Sequence, residues 1–233
     1  MKLSVCIATY NGEKYIKEQI NSILIQLNKN DEIIIGDDGS TDSTLEILKS
    51  YNDPRIKIYN NSFQNLILNF ESTISRAKGD YIFLADQDDV WLPNRIENSL
   101  KYLIEYDIVV SNCKVVNEYC EIIHESFFEL NKSKKGLISN LISNSYLGCC
   151  LAFRKSILKK VLPFPKNIPM HDIWIGFVSE LFYKVKYDEV PVMLYRRHGQ
   201  NESSTGDVSK YSFLQKVKFR LFAFTNIFNL IRR

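Results

Sequence analysis

The run Leu3-Ser4-Val5-Cys6-Ile7-Ala8 is rich in β-forming residues and stops at Thr9-Tyr10-Asn11-Gly12. Behind it, Lys14 to Leu27 places Ile16, Ile20, Ile23, Leu24 and Leu27 on one helical face. The alternation repeats outward along the chain. Glu32 to Ile35 reads as a second strand ending at Gly36-Asp37-Asp38-Gly39, and Ser43 to Ser50 as a helix with Thr41 or Asp42 as its cap. Arg55 to Tyr59 is a third strand after the turn Asn52-Asp53-Pro54. Leu66 to Ala77 reads as a helix closed by Lys78-Gly79, and Tyr81 to Ala85 as a fourth strand running into Asp86-Gln87-Asp88-Asp89. Pro93 then suits the first turn of another helix. Strands alternating with helices predict βαβ crossovers, hence an α/β chain with a mostly parallel central sheet flanked by helices.

Beyond Ile108 the pattern loosens. Asp107 to Ile123 reads as a strand pair, Tyr146 to Phe153 as an apolar run, and Ser156 to Val161 as a short helix before Pro163-Phe164-Pro165. Asp172 to Lys184 reads as a helix, and Lys186 to Tyr195 as a strand region broken by Pro191. No repeat, low-complexity tract or linker divides the chain.

Composition excludes several classes. At 233 residues, 45% apolar and 24% charged, the chain is neither disordered, collagen-like nor a coiled coil. A net charge of +3 gives no reason to expect nucleic acid as a partner. The five cysteines, Cys6, Cys113, Cys120, Cys149 and Cys150, are odd in number and lack metal-ligand spacing, so reduced thiols are expected. The N-terminus is too short before Thr9 for a signal peptide, and no apolar run approaches the ~18 residues of a spanning helix. A cytoplasmic protein is expected.

In parallel sheets, ligands bind beyond the carboxyl ends of the strands. Three polar clusters fall there: Thr9-Tyr10-Asn11, Asp37-Asp38 and Asp86 to Asp89. Carboxylates one residue apart can offer two oxygens to Mg²⁺ or Mn²⁺, and acids at that position also cap a following helix. A carboxylate at the end of the second strand can accept the ring N–H of uracil or thymine, and a turn with a capped helix uses the same residues. Asp172, at a helix start after a proline-rich loop, suits a general base or a cap.

The blocks Ser4 to Gly12, Asp37 to Asp42 and Gly79 to Trp91 resemble, in order and spacing, the family 2 glycosyltransferases. The resemblance covers about residues 1–200. Asp86-Gln87-Asp88-Asp89-Val90-Trp91 and Tyr195-Arg196-Arg197-His198-Gly199-Gln200-Asn201 look most like the family's rhamnosyltransferase-like branch. The resemblance implies a GT-A fold with a nucleotide-sugar-binding half over about 1–110 and an acceptor-binding half over about 111–207. It implies inverting transfer of one sugar from a nucleoside-diphosphate sugar, dTDP-rhamnose or a UDP-hexose, to a saccharide acceptor that is lipid-linked. Bacterial surface polysaccharide is the implied product. By position, Thr9, Tyr10, Asn11 and Asp38 line the nucleotide pocket, and Asp86, with Gln87 beside it, lies by the ribose and diphosphate. Asp88 is the principal metal ligand, His198 lies near the metal or diphosphate, and Asp172 is the catalytic base. The implied cofactor is Mn²⁺ or Mg²⁺. His171-Asp172 replaces the family's frequent Glu-Asp, and the Gln-x-x-Arg-Trp signature of processive synthases is missing.

Residues 208–233 carry six basic and no acidic side chains among dense aromatic and aliphatic ones, so the preceding 207 residues sum to −3. A basic amphipathic helix lying on the inner face of the cytoplasmic membrane fits this segment. The same apolar face would also cover its own domain or a second subunit of a homo-oligomer. Two other functions fit these residues less well. A catalytically silent nucleotide-sugar-binding or scaffold subunit is disfavoured by the presence of every acid the chemistry needs. A dinucleotide-dependent oxidoreductase is disfavoured because the first strand lacks a Gly-x-Gly-x-x-Gly turn.

Overall fold

Each β-forming run near the N-terminus carries apolar residues on both faces, and the chain buries both. A computed structural model describes residues 1–199, Asn201 and Asn226. In chain order the elements are β1 (Leu3–Thr9), α1 (Ile16–Leu24), β2 (Glu32–Asp37), α2 (Thr44–Ser50), β3 (Ile56–Asn60), α3 (Leu66–Ser75), β4 (Tyr81–Ala85) and β5 (Val90–Trp91). Then follow α4 (Arg95–Leu103), β6 (Ile108–Val116), β7 (Ile122–His124), α5 (Phe127–Leu130) and α6 (Leu137–Ile142). The last are β8 (Leu151–Arg154), α7 (Leu158–Val161), α8 (His171–Phe182) and β9 (Val185–Arg196). The proposed extension over 208–233 lies outside the described residues, Asn226 apart.

One sheet has the order β3-β2-β1-β4-β8-β6-β9-β5, with β7 paired to β6. The expected parallel character belongs to β3-β2-β1-β4 and to the β6/β9 pair. β8 enters antiparallel between β4 and β6, and β5 pairs antiparallel with the end of β9. Successive side chains of a strand point to opposite faces. Val5, Ile7, Ile33, Ile35 and Phe83 therefore pack with Ile16, Ile20 and Ile23 of α1. Cys6, Ala8, Ile34, Ile82 and Leu84 pack on the other face with Phe70 and Ile74 of α3 and Trp174, Ile175 and Val178 of α8. All five cysteines are free.

Two local outcomes differ from the sequence pattern. Pro191 does not break β9; it lies opposite Asn112 at a shift of register. Proline has no N–H to give the ladder. The Asn112 side chain supplies a bond there, its Nδ2 donating to the Glu189 carbonyl at 2.9 Å. The two-residue β5, by contrast, is too short to carry a pattern. It exists because Val90 and Trp91 meet Leu194 and Met193 across the fold.

Candidate active site

The ends of β1, β2 and β4 lie side by side, with Thr9 opposite Asp37 and Ile7 opposite Ala85. The loops that follow are locked together. Asn11 has φ +47°, which Asn tolerates better than most residues, and its Oδ1 accepts the Thr41 N–H at 2.8 Å. The Gly12 N–H donates to Thr44 Oγ1 at 2.7 Å. Gln87 spans the β1 and β4 loops: its Oε1 accepts the Tyr10 N–H and its Nε2 donates to the Tyr10 carbonyl, each at 3.0 Å. The Tyr10 ring is exposed.

The nucleotide residues expected from the sequence thus sit on one rim, at different depths. Thr9 is withdrawn from the surface, and its hydroxyl donates to Asp37 Oδ2 at 3.0 Å. Asp38 is buried, and its two oxygens accept the Phe63 N–H at 2.6 Å and the Asn65 N–H at 2.8 Å. It fastens the loop after β3 to the rim. Gln19, fully buried on α1, donates to the Asp86 carbonyl at 2.7 Å.

Asp88 and His198, 110 residues apart, come together: His198 Nε2 is 2.8 Å from Asp88 Oδ2. The same oxygen accepts Asn201 Nδ2 at 3.1 Å. The His198 ring stacks on Tyr15 with centroids 4.8 Å apart. Burial, and then the charges of Asp88 and Asp172, push the Asp86 carboxyl well above the ordinary carboxylate range. Asp89 is fully buried, and burial raises it strongly as well. Its Oδ1 accepts the Arg196 N–H at 2.9 Å, while its Oδ2 has no hydrogen-bond partner among the described residues.

Donor atoms of Asp86, Asp89 and Cys149 lie within 4.8 Å of one another. A thiol is a soft ligand that Mg²⁺ and Mn²⁺ do not prefer, whereas carboxylates and an imidazole suit Mn²⁺. The donor chemistry of Asp86, Asp88 and His198 fits a hard divalent cation. Burial and then the charge of Asp88 favour the acid form of Asp86, and a nearby cation would favour its ionised form.

Asp172 sits in the first turn of α8, where the helix dipole favours negative charge. Its Oδ2 accepts the Gly148 N–H at 3.1 Å and its Oδ1 the Ile173 N–H at 2.6 Å. Burial outweighs these bonds and pushes its carboxyl up to about 7. Its neighbour His171 has a separate role. The ring is buried, stacks on Phe70 at 3.9 Å, and neither ring nitrogen has a hydrogen-bond partner among the described residues. Burial holds this imidazole near pKa 3, so it is neutral. A Cβ at residue 148 would lie 2.6 Å from His171 Nε2. Gly148 is therefore what lets the backbone approach close enough to donate to Asp172.

Sequence reasoning assigned no role to Arg196, although it lies in a quoted motif. Its guanidinium is buried, with Nε donating to the Asp88 carbonyl at 2.7 Å and Nη1 to the Glu118 carbonyl at 2.9 Å. Nη2 pairs with Glu18, and the group lies 4.8 Å from the Tyr15 ring centroid. Arg196 thus holds Asp88 through its backbone, as the Arg196 N–H holds Asp89. We expect Arg196→Met to cost about 2–4 kcal/mol of stability, mostly from the two stranded carbonyls, because Glu18 is half exposed. Arg196→Lys should recover little, since an ammonium cannot reproduce the planar fork. Chemical denaturation checks both variants, and a wild-type midpoint in either would remove this role.

Known proteins bear on this geometry. The model of the family described as "Glycosyl transferase family 2" matches residues 4–162. A dTDP-rhamnosyl transferase of Shigella flexneri is 30% identical over 221 residues, covering 84% of this chain and 73% of that protein. Among solved structures, S. aureus TarS (residues 1–349) in complex with UDP-GlcNAc superposes with a TM-score of 0.75 at 20% identity, over 98% of this chain and 67% of that one. A mannosyltransferase of Pyrobaculum calidifontis in complex with GDP-Man and Mn²⁺ gives 0.64 at 16% identity, over 85% of this chain and 58% of that one. The chain spans about two thirds of the length of three of the curated relatives it matches. Strand-end loops interlocked around paired acids, on a sheet of this architecture and within a family match over most of the chain, identify it as a member of glycosyl transferase family 2, with the GT-A fold of its structural neighbours.

Proposed function

We propose that this chain carries out metal-dependent, inverting transfer of one sugar from a nucleoside-diphosphate sugar to a saccharide acceptor. The observation that carries this reading is Asp172. It is a carboxylate held by two backbone N–H groups, poised near pKa 7, and close enough for its charge to act on Asp86. A base with its pKa near the working pH combines a large deprotonated fraction with useful proton affinity.

Tyr10, Asn11 and Asp38 line the nucleotide side of the rim. Asp88 and His198 would hold Mn²⁺ or Mg²⁺, with Asp86 by the ribose and diphosphate, and such an ion supplies positive charge to the diphosphate leaving group. Asp172 takes the proton of the acceptor hydroxyl as that oxygen bonds the anomeric carbon. Attack occurs on the face opposite the departing diphosphate, which inverts the centre. The burial of Asp172 raises its affinity for this proton, and Gly148 keeps the carboxylate oriented.

Similarity to the Shigella dTDP-rhamnosyl transferase supports dTDP-rhamnose over UDP-hexoses as this chain's donor. The acceptor is a lipid-linked saccharide of a bacterial surface polysaccharide. Thermal-shift measurements with a panel of nucleotide sugars and Mn²⁺ test the donor, because a ligand that binds the native state raises stability with its affinity. dTDP-rhamnose at a hundred times its Kd should stabilise the chain by about 2.7 kcal/mol. A shift with UDP-sugars alone would reassign the donor, and no shift with any member would remove the transferase reading.

A further inference from the structure

A second charge asymmetry lies inside the described residues. Between Leu130 and His171 the chain carries eight basic and no acidic side chains. The acids that flank this stretch are Glu129, which is exposed, and Asp172 in the site. The asymmetry is sharpest at α6 and the turn before it. Lys132, Lys134 and Lys135 are all exposed, and none forms an ion pair among the described residues. One turn on, Ile138 is 75% and Ile142 67% exposed. These two lie four residues apart, on one face of α6, while Leu137 and Leu141 pack inward on the core. Two exposed isoleucines next to three lysines without ion pairs fit one environment, an apolar layer under an anionic surface.

The segment is well fastened underneath. Glu180 Oε1 accepts the Gly136 N–H at 3.1 Å, Tyr146 OH at 2.9 Å and Tyr187 OH at 3.1 Å. Asn140 of α6 donates to the Tyr187 hydroxyl at 2.8 Å. The outward face is therefore presented by a rigid mount and is not a fraying end.

We infer that α6 and the lysine turn before it form a membrane-docking face, with Ile138 and Ile142 entering an anionic bilayer and Lys132, Lys134 and Lys135 lying at its headgroups. Charge complementarity selects the occupant: lysines near an anionic leaflet each contribute to binding, and the adjacent isoleucines give the bilayer something a soluble polyanion does not use. A consequence rests on the transferase reading. Glu180 and Asp172 share α8 eight residues apart, about 12 Å along its axis, so the docked surface would lie near the base that meets a lipid-linked acceptor.

Vesicle sedimentation of the full chain tests the face without reference to activity. The vesicles are phosphatidylglycerol mixed with phosphatidylcholine, or phosphatidylcholine alone. The variants are Lys132→Ser/Lys134→Ser/Lys135→Ser and Ile138→Ser/Ile142→Ser, each checked for native circular dichroism. The wild type should bind only the anionic vesicles. The lysine variant should lose on the order of a hundredfold in affinity, and the isoleucine variant at least tenfold. A lysine variant that sediments like wild type would place any membrane contact elsewhere, residues 208–233 included, and overturn the inference. An isoleucine variant that does so would reduce the contact to the headgroups alone and overturn the entry of Ile138 and Ile142 into the bilayer. Absence of wild-type binding to anionic vesicles would overturn it outright.

Discussion

Replacing Asp172 with Asn should cut turnover by about 10²–10⁴-fold while leaving donor affinity nearly unchanged. The amide keeps the shape of the carboxyl group and its place at the start of α8, but it cannot take a proton. The wild-type pH profile provides a second readout. Burial raises the Asp172 carboxyl to about 7, and only the ionised form is a base. Activity should therefore fall about tenfold per pH unit below 7 and level off above it. The residual activity of Asp172→Asn should lack this limb.

The same shift has an opposite consequence for stability. A folded pKa above the unfolded value means the fold disfavours the charged form. That penalty is absent below the ordinary carboxylate range, grows as pH rises, and is complete above 7. Asp172→Asn should accordingly melt a few degrees higher than wild type at pH 8 and about equally at pH 4. A base kept at a cost in stability is a familiar arrangement in enzymes. Near-normal turnover in the variant would remove Asp172 from the chemistry, whatever its melting behaviour.

Asp88→Ala should abolish the Mn²⁺ dependence of donor binding. Loss of a second-sphere partner typically weakens metal sites 10–100-fold, and a direct ligand should matter at least as much, about 100-fold or more. The substitution also removes the Asp88 Oδ2 contact made by His198 Nε2 and by Asn201 Nδ2. Calorimetric titration of donor with and without Mn²⁺ separates the outcomes. Equal wild-type affinity in both conditions would remove the metal from binding. A variant that keeps full Mn²⁺ dependence would move the ion to the Asp86, Asp89 and Cys149 atoms beside it.

The positions of the acids were legible because local pattern places them. A strand that ends in Asp37-Asp38 or in Asp86 to Asp89 puts those residues at the carboxyl edge of the sheet, wherever the strands finally pair. Other parts of the site left weak local signals. His171 reads as an ordinary polar residue before a helix. Only packing shows that its ring is walled in by Phe70 and Gly148 and has no hydrogen bond among the described residues. Asp89 looks like a third acid of the cluster, yet it is sealed under the loop by the Arg196 N–H.

By itself the sequence determined the strand–helix alternation, the two-faced burial that demands a covered parallel sheet, and the rim on which Thr9, Asp38 and Asp86 fall. Those follow from residue periodicities of two and 3.6, which act over a few residues. The tertiary structure decided the antiparallel entry of β8, the existence of β5, and the pairing of Asp88 with His198 and Arg196. Each of these depends on hydrogen bonds between residues scores to more than a hundred positions apart, where no periodicity reaches. Their partners are chosen by the packing of the whole sheet.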